Sequence, residues 1–132
     1  MSNHIEHLGI HHDEMVKALM KTPEAILAEL TLGKVAIWNS SSCIMGEAGE
    51  LFDAVKKYVF YNKTLDLQNV IEELGDLEFY LEDLRRRLGI ERDETLRANI
   101  EKLSVRYRTM QYSDAAAQGR ADKANPQEES VR

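Results

Sequence analysis

Two acidic pairs, Glu47/Glu50 and Glu73/Asp76, have the residue types and spacing to do chemistry in this chain. Each pair is spaced i, i+3, which on a helix puts both carboxylates on one face about a turn apart. Between them lies Tyr61-Asn-Lys-Thr-Leu-Asp66, a polar break with an Asn and a capping Asp. A chain folded at that break runs two helices antiparallel. The midpoint between the pairs falls at the start of the break, so the pairs face each other at the same height. Four converging carboxylates repel one another and resist burial unless a positive charge offsets them. Hard divalent cations do so through oxygen ligands, and Mg²⁺ combines one or two carboxylates with phosphate and water. The spacing therefore points to a Mg²⁺ or Mn²⁺ site open to a phosphate-bearing substrate. Gly46, Gly49 and Gly75 sit inside the expected helices, where each costs about 1 kcal/mol relative to Ala. Their presence predicts close approach of a ligand or a neighbouring helix. Either pair alone reads as an ordinary solvated helix face; the mirrored arrangement of both favours the metal site.

The elements that must position these acids are helices. A first helix is expected over 13–21, from the spacing of Met15, Val16, Leu19 and Met20. Thr22 with Pro23 opens a short helix to about Leu30. A long helix follows over 34–60, with Ile37, Ile44, Ala48, Leu51, Phe52, Val55 and Val59 as its apolar stripe. Beside that stripe run Ser40, Cys43, Glu47, Glu50, Ala54 and Lys57, so the carboxylates border the buried face. The next helix spans 67–88, with Gly89 as its stop and Arg85, Arg86 and Arg87 suiting the negative end of the helix dipole. A last helix runs from 92 or 93 to about 112. From Ser113 the chain lacks an apolar period and reads as a disordered tail. The expectation is an all-α bundle, with a flexible N-terminus over 1–12, a helical domain over 13–112 and a tail over 113–132.

Composition narrows the function. A net charge of −6 disfavours a nucleic acid polymer as partner, although a metal can reverse the local field for a single nucleotide. No apolar run is long enough to cross a membrane, and the first residues lack the basic and apolar parts of a signal peptide. The single cysteine, Cys43, cannot form an internal disulfide, which suits a reducing cytoplasm. His7 and His11 are spaced for a metal, and His12-Asp13 has the core of an HD phosphohydrolase motif. An HD site needs histidines elsewhere, and the chain has none beyond position 12; a polar, fraying N-terminus is the better reading.

G-E-A-G-E-L at 46–51, E-E-L-G-D at 72–76 and N-I-E-K-L-S-V-R-Y at 99–107 resemble the MazG-like family of nucleoside triphosphate pyrophosphohydrolases. Its mark is E-x-x-E followed, after a hairpin, by E-x-x-D, and the likeness covers about residues 34–108. The compact form is similar to versions carried by bacteriophages, the MazZ type associated with 2-aminoadenine among them. The resemblance implies an all-α bundle assembled as a homodimer or a dimer of dimers. It implies hydrolysis of a (deoxy)nucleoside triphosphate between the α and β phosphates, with a preference for (d)GTP suggested by the phage likeness. Glu47, Glu50, Glu73 and Asp76 would be catalytic metal ligands for two to three Mg²⁺ or Mn²⁺ ions. Lys57 or Lys56, Asn99, Lys102, Arg106 and, less directly, Tyr107 would bind phosphate. The location would be the cytoplasm, that of the host cell if the chain is phage-encoded.

Base choice is the least legible feature. Trp38 lies well round from the acidic face and reads as core or as part of a partner subunit's site. Asn39 and Ser40 lie closer to the acids and are better base-binding candidates. Two other functions compete. A di-iron carboxylate bundle needs Glu-x-x-His pairs, whereas positions 50 and 76 are Glu and Asp. A non-catalytic oligomerisation or binding module with an acidic face needs neither the glycines nor a metal.

Overall fold

The computed structural model describes Gly9 and residues 11–123. His4, His7 and the last part of the expected tail lie outside them. The elements are α1 (His12–Leu19), α2 (Pro23–Glu29), α3 (Leu32–Tyr61), α4 (Leu67–Leu88), α5 (Arg92–Arg106), α6 (Asp114–Gly119) and a 3₁₀ turn (Ala121–Lys123). Every regular element among the described residues is helical, so the protein is all-α. Two compact units divide at Ala36 and Ile37.

In the first unit Thr22 caps α2, its hydroxyl accepting from the Ala25 N–H at 3.2 Å, with Pro23 in the first turn. Thr31 does the same for α3, accepting from the Lys34 N–H at 3.2 Å. That cap starts α3 at Leu32, ahead of the Lys34 expected from periodicity. Lys34 Nζ also donates to the Glu29 carbonyl at 2.8 Å, and Lys21 pairs with Glu29.

The second unit is built on the α3–α4 hairpin. α3 ends where Asn62 takes a left-handed conformation, φ 50°, and the Lys63 N–H reaches back to the Lys57 carbonyl at 3.2 Å. This closure satisfies the carbonyl ends of the helix, and Asn tolerates the conformation. Asp66 then caps α4, accepting from the Asn69 N–H at 3.1 Å. Gly89, at φ 67°, closes it. Across the hairpin the Ser40 hydroxyl donates to Asp83 at 2.6 Å. Arg87 Nε donates to Asp83 Oδ2 at 2.7 Å and to Ser40 Oγ at 3.1 Å. One layer on, Cys43 lies close enough to Tyr80 to raise its pKa. Next come Glu47 with Asp76 and Glu73. Nearest the turn, Lys57 feels the charge of Asp66. The partners Ser40/Asp83, Cys43/Tyr80, Glu47/Asp76 and Lys57/Asp66 are all placed symmetrically about Tyr61 and Asn62. The hairpin therefore has one register.

The expected apolar stripe of α3 finds little cover within the chain. Ala54 is the one buried hydrophobic residue among those described, whereas Phe52 is 63% exposed and Phe60 72%. The glycines tell the same story: a Cβ added at Gly46, Gly49 or Gly75 would meet nothing within 4 Å. Among the described residues no neighbouring helix makes a close approach there.

α5 ends at Arg106, not at the expected Tyr112. The chain leaves helical geometry at Tyr107 (ψ 71°) and turns through Met110 (φ 55°). The stretch after Ser113, expected to be disordered, is helical over its first part. Ser113 caps α6 by accepting from the Ala116 N–H at 3.1 Å. α6 and the 3₁₀ turn pack on α5. The anchor is ionic: Arg106 Nε and Nη2 donate to Asp122 Oδ1 and Oδ2 at 2.6 and 2.9 Å. A bidentate, charge-assisted pair of this kind supplies what the missing apolar period does not.

The hydrogen bonds from Arg106 hold the Asp122 carboxyl at about 2, below its ordinary 3.8. A depressed carboxyl contributes stability at pH values above the unfolded value, and that stability is lost as pH falls through the folded one. Docking of residues 114–123 on α5 is thus complete above about pH 4 and lost towards pH 2. Amide hydrogen exchange at Ala117 and Arg120 should report that loss, and Asp122→Asn should produce it at neutral pH.

Candidate metal and nucleotide site

The hairpin register brings the acidic pairs together. Glu47 on α3 and Glu73 and Asp76 on α4 each offer an oxygen, and these oxygens lie within 4.8 Å of one another. Glu73 is buried, 7% exposed; Glu47 is half-buried and Asp76 exposed. Glu50, exposed, lies outside that trio but close enough for its charge to act on Glu73. The Glu73 carboxyl is pushed above its ordinary value, first by burial and then by the charges of Glu50, Glu47 and Asp76. Among the described residues none of these four acids has an ion-pair partner. Uncompensated hard-oxygen donors around a buried carboxylate are a donor set that fits Mg²⁺ or Mn²⁺.

The candidate phosphate-binding side chains occupy three environments. Lys57 faces the turn end of the hairpin and pairs with Asp53 at 2.7 Å, and that hydrogen bond raises its pKa. Lys56 lies over the Tyr61 ring, its Nζ 5.6 Å from the centroid. Asn99 and Lys102 are exposed on α5. Arg106 is engaged by Asp122, and Tyr107 is half-buried with its ring 5.9 Å from that of Tyr112. No hydrogen bond or ion pair among the described residues joins the α5 donors to the carboxylates.

The base-binding candidates separate. Trp38 is 70% exposed, so this chain does not bury it in its own core, and Asn39 is exposed beside it. Ser40 is fully buried, with its hydroxyl committed to Asp83 and Arg87. Sequence reasoning passed over Asp83 and Tyr80 and assigned Arg87 only to the helix dipole. The signal was present: Asp83 stands seven residues from Asp76, as Ser40 stands seven from Glu47, the same face two turns away.

Site and fold together define an all-α carboxylate hairpin protein. The MazG nucleotide pyrophosphohydrolase domain matches residues 39–110, more than half of the chain and both acidic motifs. The chain belongs to that family. No curated protein and no solved structure matches it significantly.

Removing the repelled charge should stabilise the metal-free protein. Glu73→Gln is expected to raise the melting temperature in EDTA, since the ionised Glu73 is buried among like charges. It should also abolish any rise in melting temperature on adding Mg²⁺ or Mn²⁺. Differential scanning calorimetry with and without metal checks both arms.

Proposed function

We propose that the chain hydrolyses a (deoxy)nucleoside triphosphate between its α and β phosphates, giving a nucleoside monophosphate and pyrophosphate. The observation that carries this reading is the uncompensated opposition of Glu47 to Glu73 and Asp76 within the family match. Glu47, Glu73 and Asp76, with Glu50 beside them, would hold two to three Mg²⁺ or Mn²⁺ ions. A bound divalent cation offsets phosphate charge and lowers the pKa of a coordinated water. The chain's own residues do the rest. One carboxylate of the first pair, Glu47 or Glu50, would accept the proton of the attacking water. Lys57, at the turn end of the same groove, faces the pyrophosphate being released. Asn99 and Lys102 are uncommitted donors for phosphate oxygens. Arg106 joins them once it leaves Asp122. The preferred substrate is (d)GTP, and the compact form is that of phage-encoded enzymes acting in the host cytoplasm. No described helix is long and apolar enough to cross a membrane.

The protein works as a homodimer or a dimer of dimers. Support comes from α3 and α4, where Phe52, Val59, Phe60, Leu74 and Phe79 are exposed on helices too apolar to remain so in water. Open space beside Gly46, Gly49 and Gly75 leaves room for a ligand or a second copy.

Pyrophosphate release from a panel of NTPs and dNTPs, with Mg²⁺, Mn²⁺ or EDTA, tests the reaction. Metal-dependent release with a monophosphate product is expected, and Glu47→Gln or Asp76→Asn should lower kcat/KM about a hundredfold or more. Turnover that persists in EDTA, or in those variants, counts against the site. Sedimentation equilibrium should give two or four times the 15.1 kDa chain mass; a monomer at micromolar concentration overturns the assembly.

A further inference from the structure

Contacts across the α3–α4 hairpin do not end at the carboxylates. Beyond them, away from the turn, lie the Cys43/Tyr80 layer and then the Ser40–Asp83–Arg87 network. Asp83 is seven residues from Asp76 along α4, about 10 Å at the helical rise. That is the scale of a nucleoside between its 5′ phosphate and the far edge of its base. Lys57 lies on α3 towards the turn, on the other side of the carboxylates. A triphosphate bound at the carboxylates with its terminal phosphates towards Lys57 therefore carries its base towards Asp83.

The network there is preorganised and incompletely used. Buried Ser40 and the Arg87 Nε both donate to Asp83 Oδ2, which ties the carboxylate to the guanidinium. Asp83 Oδ1 and the terminal amino groups of Arg87 hold no hydrogen bond among the described residues. Both side chains reach solvent, Arg87 at 38% and Asp83 at 28% exposure. The hydrogen bonds from Ser40 and Arg87, and then the Arg87 charge, lower the Asp83 pKa. The pair thus presents guanidinium donors beside an anionic acceptor. Guanine presents the complement: a carbonyl beside a ring N–H and an exocyclic amino group. Adenine lacks the carbonyl, and hypoxanthine lacks the amino group.

We infer that Asp83 and Arg87, held in place by Ser40, read the base of the nucleotide and select guanine. The inference rests on the proposed nucleotide reaction and adds to it the residues that set specificity. Arg87 donates to the base carbonyl, and Asp83 accepts from the ring N–H and the amino group. Ser40 is a positioning residue, because it is too buried to touch the base.

The test compares kcat/KM for dGTP and dITP, which differ only in the amino group. The wild-type full chain should prefer dGTP by about tenfold, the scale of one well-placed polar contact to a base. Asp83→Asn should lower dGTP turnover about tenfold more than dITP turnover, so the ratio falls towards one. A general loss of packing would lower both together and leave the ratio unchanged. An unchanged ratio in the variant, or no dGTP preference in the wild type, overturns the assignment; the wild-type arm decides even if the variant fails to fold. Pyrophosphate release from neither substrate by the wild type removes the proposed function itself, and this inference with it.

Discussion

The structure depends on holding like charges against one another. Glu47, Glu73 and Asp76 converge from two helices, and Glu73 is buried among them with its carboxyl pushed upward. Helices do not bring repelling groups together of their own accord; something else must fix the register. Here it is fixed at both ends of the hairpin. At one end Asn62 and Asp66 close and restart the helices. At the other the Ser40–Asp83–Arg87 network ties α3 to α4 through a serine with no solvent exposure. A buried polar group must be paired to be tolerated, so a slip in register would strand Ser40 as well as separate the acids. The same contact that makes the site possible also penalises the alternatives to it.

The helices that carry the site are not buried by their own chain. Ala54 is the lone buried apolar residue among those described, and aromatic side chains along α3 and α4 face outward. A chain of 132 residues is long enough to bury a core. Its apolar periodicity is therefore an instruction for packing that intramolecular contacts leave largely unfilled. The glycines beside the acids fit this picture, since each opens space that no described residue occupies. Exposed apolar side chains and glycine gaps thus lie on the same two helices that carry the carboxylates.

The region after α4 follows different physics. α5 has little apolar surface to bury, and its attachment to α6 and the 3₁₀ turn is largely ionic. Arg106 and Asp122 form a forked pair with the carboxylate nearly sealed from solvent, 3% exposed. Arginine that suits phosphate also suits carboxylate, because both offer paired oxygens to the guanidinium fork. Arg106 is thereby tied to the 3₁₀ turn that follows α6.

Local chemistry settled much of this protein before any folding argument. Thr22-Pro23, Asp66 and Gly89 mark helix ends through capping and backbone geometry, which need no distant partner, and the structure ends its helices there. The all-α class follows from periodicity for the same reason, and the family likeness from two short motifs. The convergence of Glu47 with Glu73 and Asp76 was legible because i, i+3 spacing and a hairpin midpoint are both properties of sequence position. Tertiary structure decided what depends on pairing between distant residues. Whether Ser40 meets a base or is consumed by Asp83 and Arg87 depends on which side chains the register sets opposite it. Whether Trp38 is core or surface depends on what packs over α3. The anchoring of residues 114–123 to α5 includes an ion pair sixteen residues apart in sequence, with no periodicity to announce it. A cap acts within a few residues and can be read along the chain; a contact between helices exists only once the chain has returned on itself.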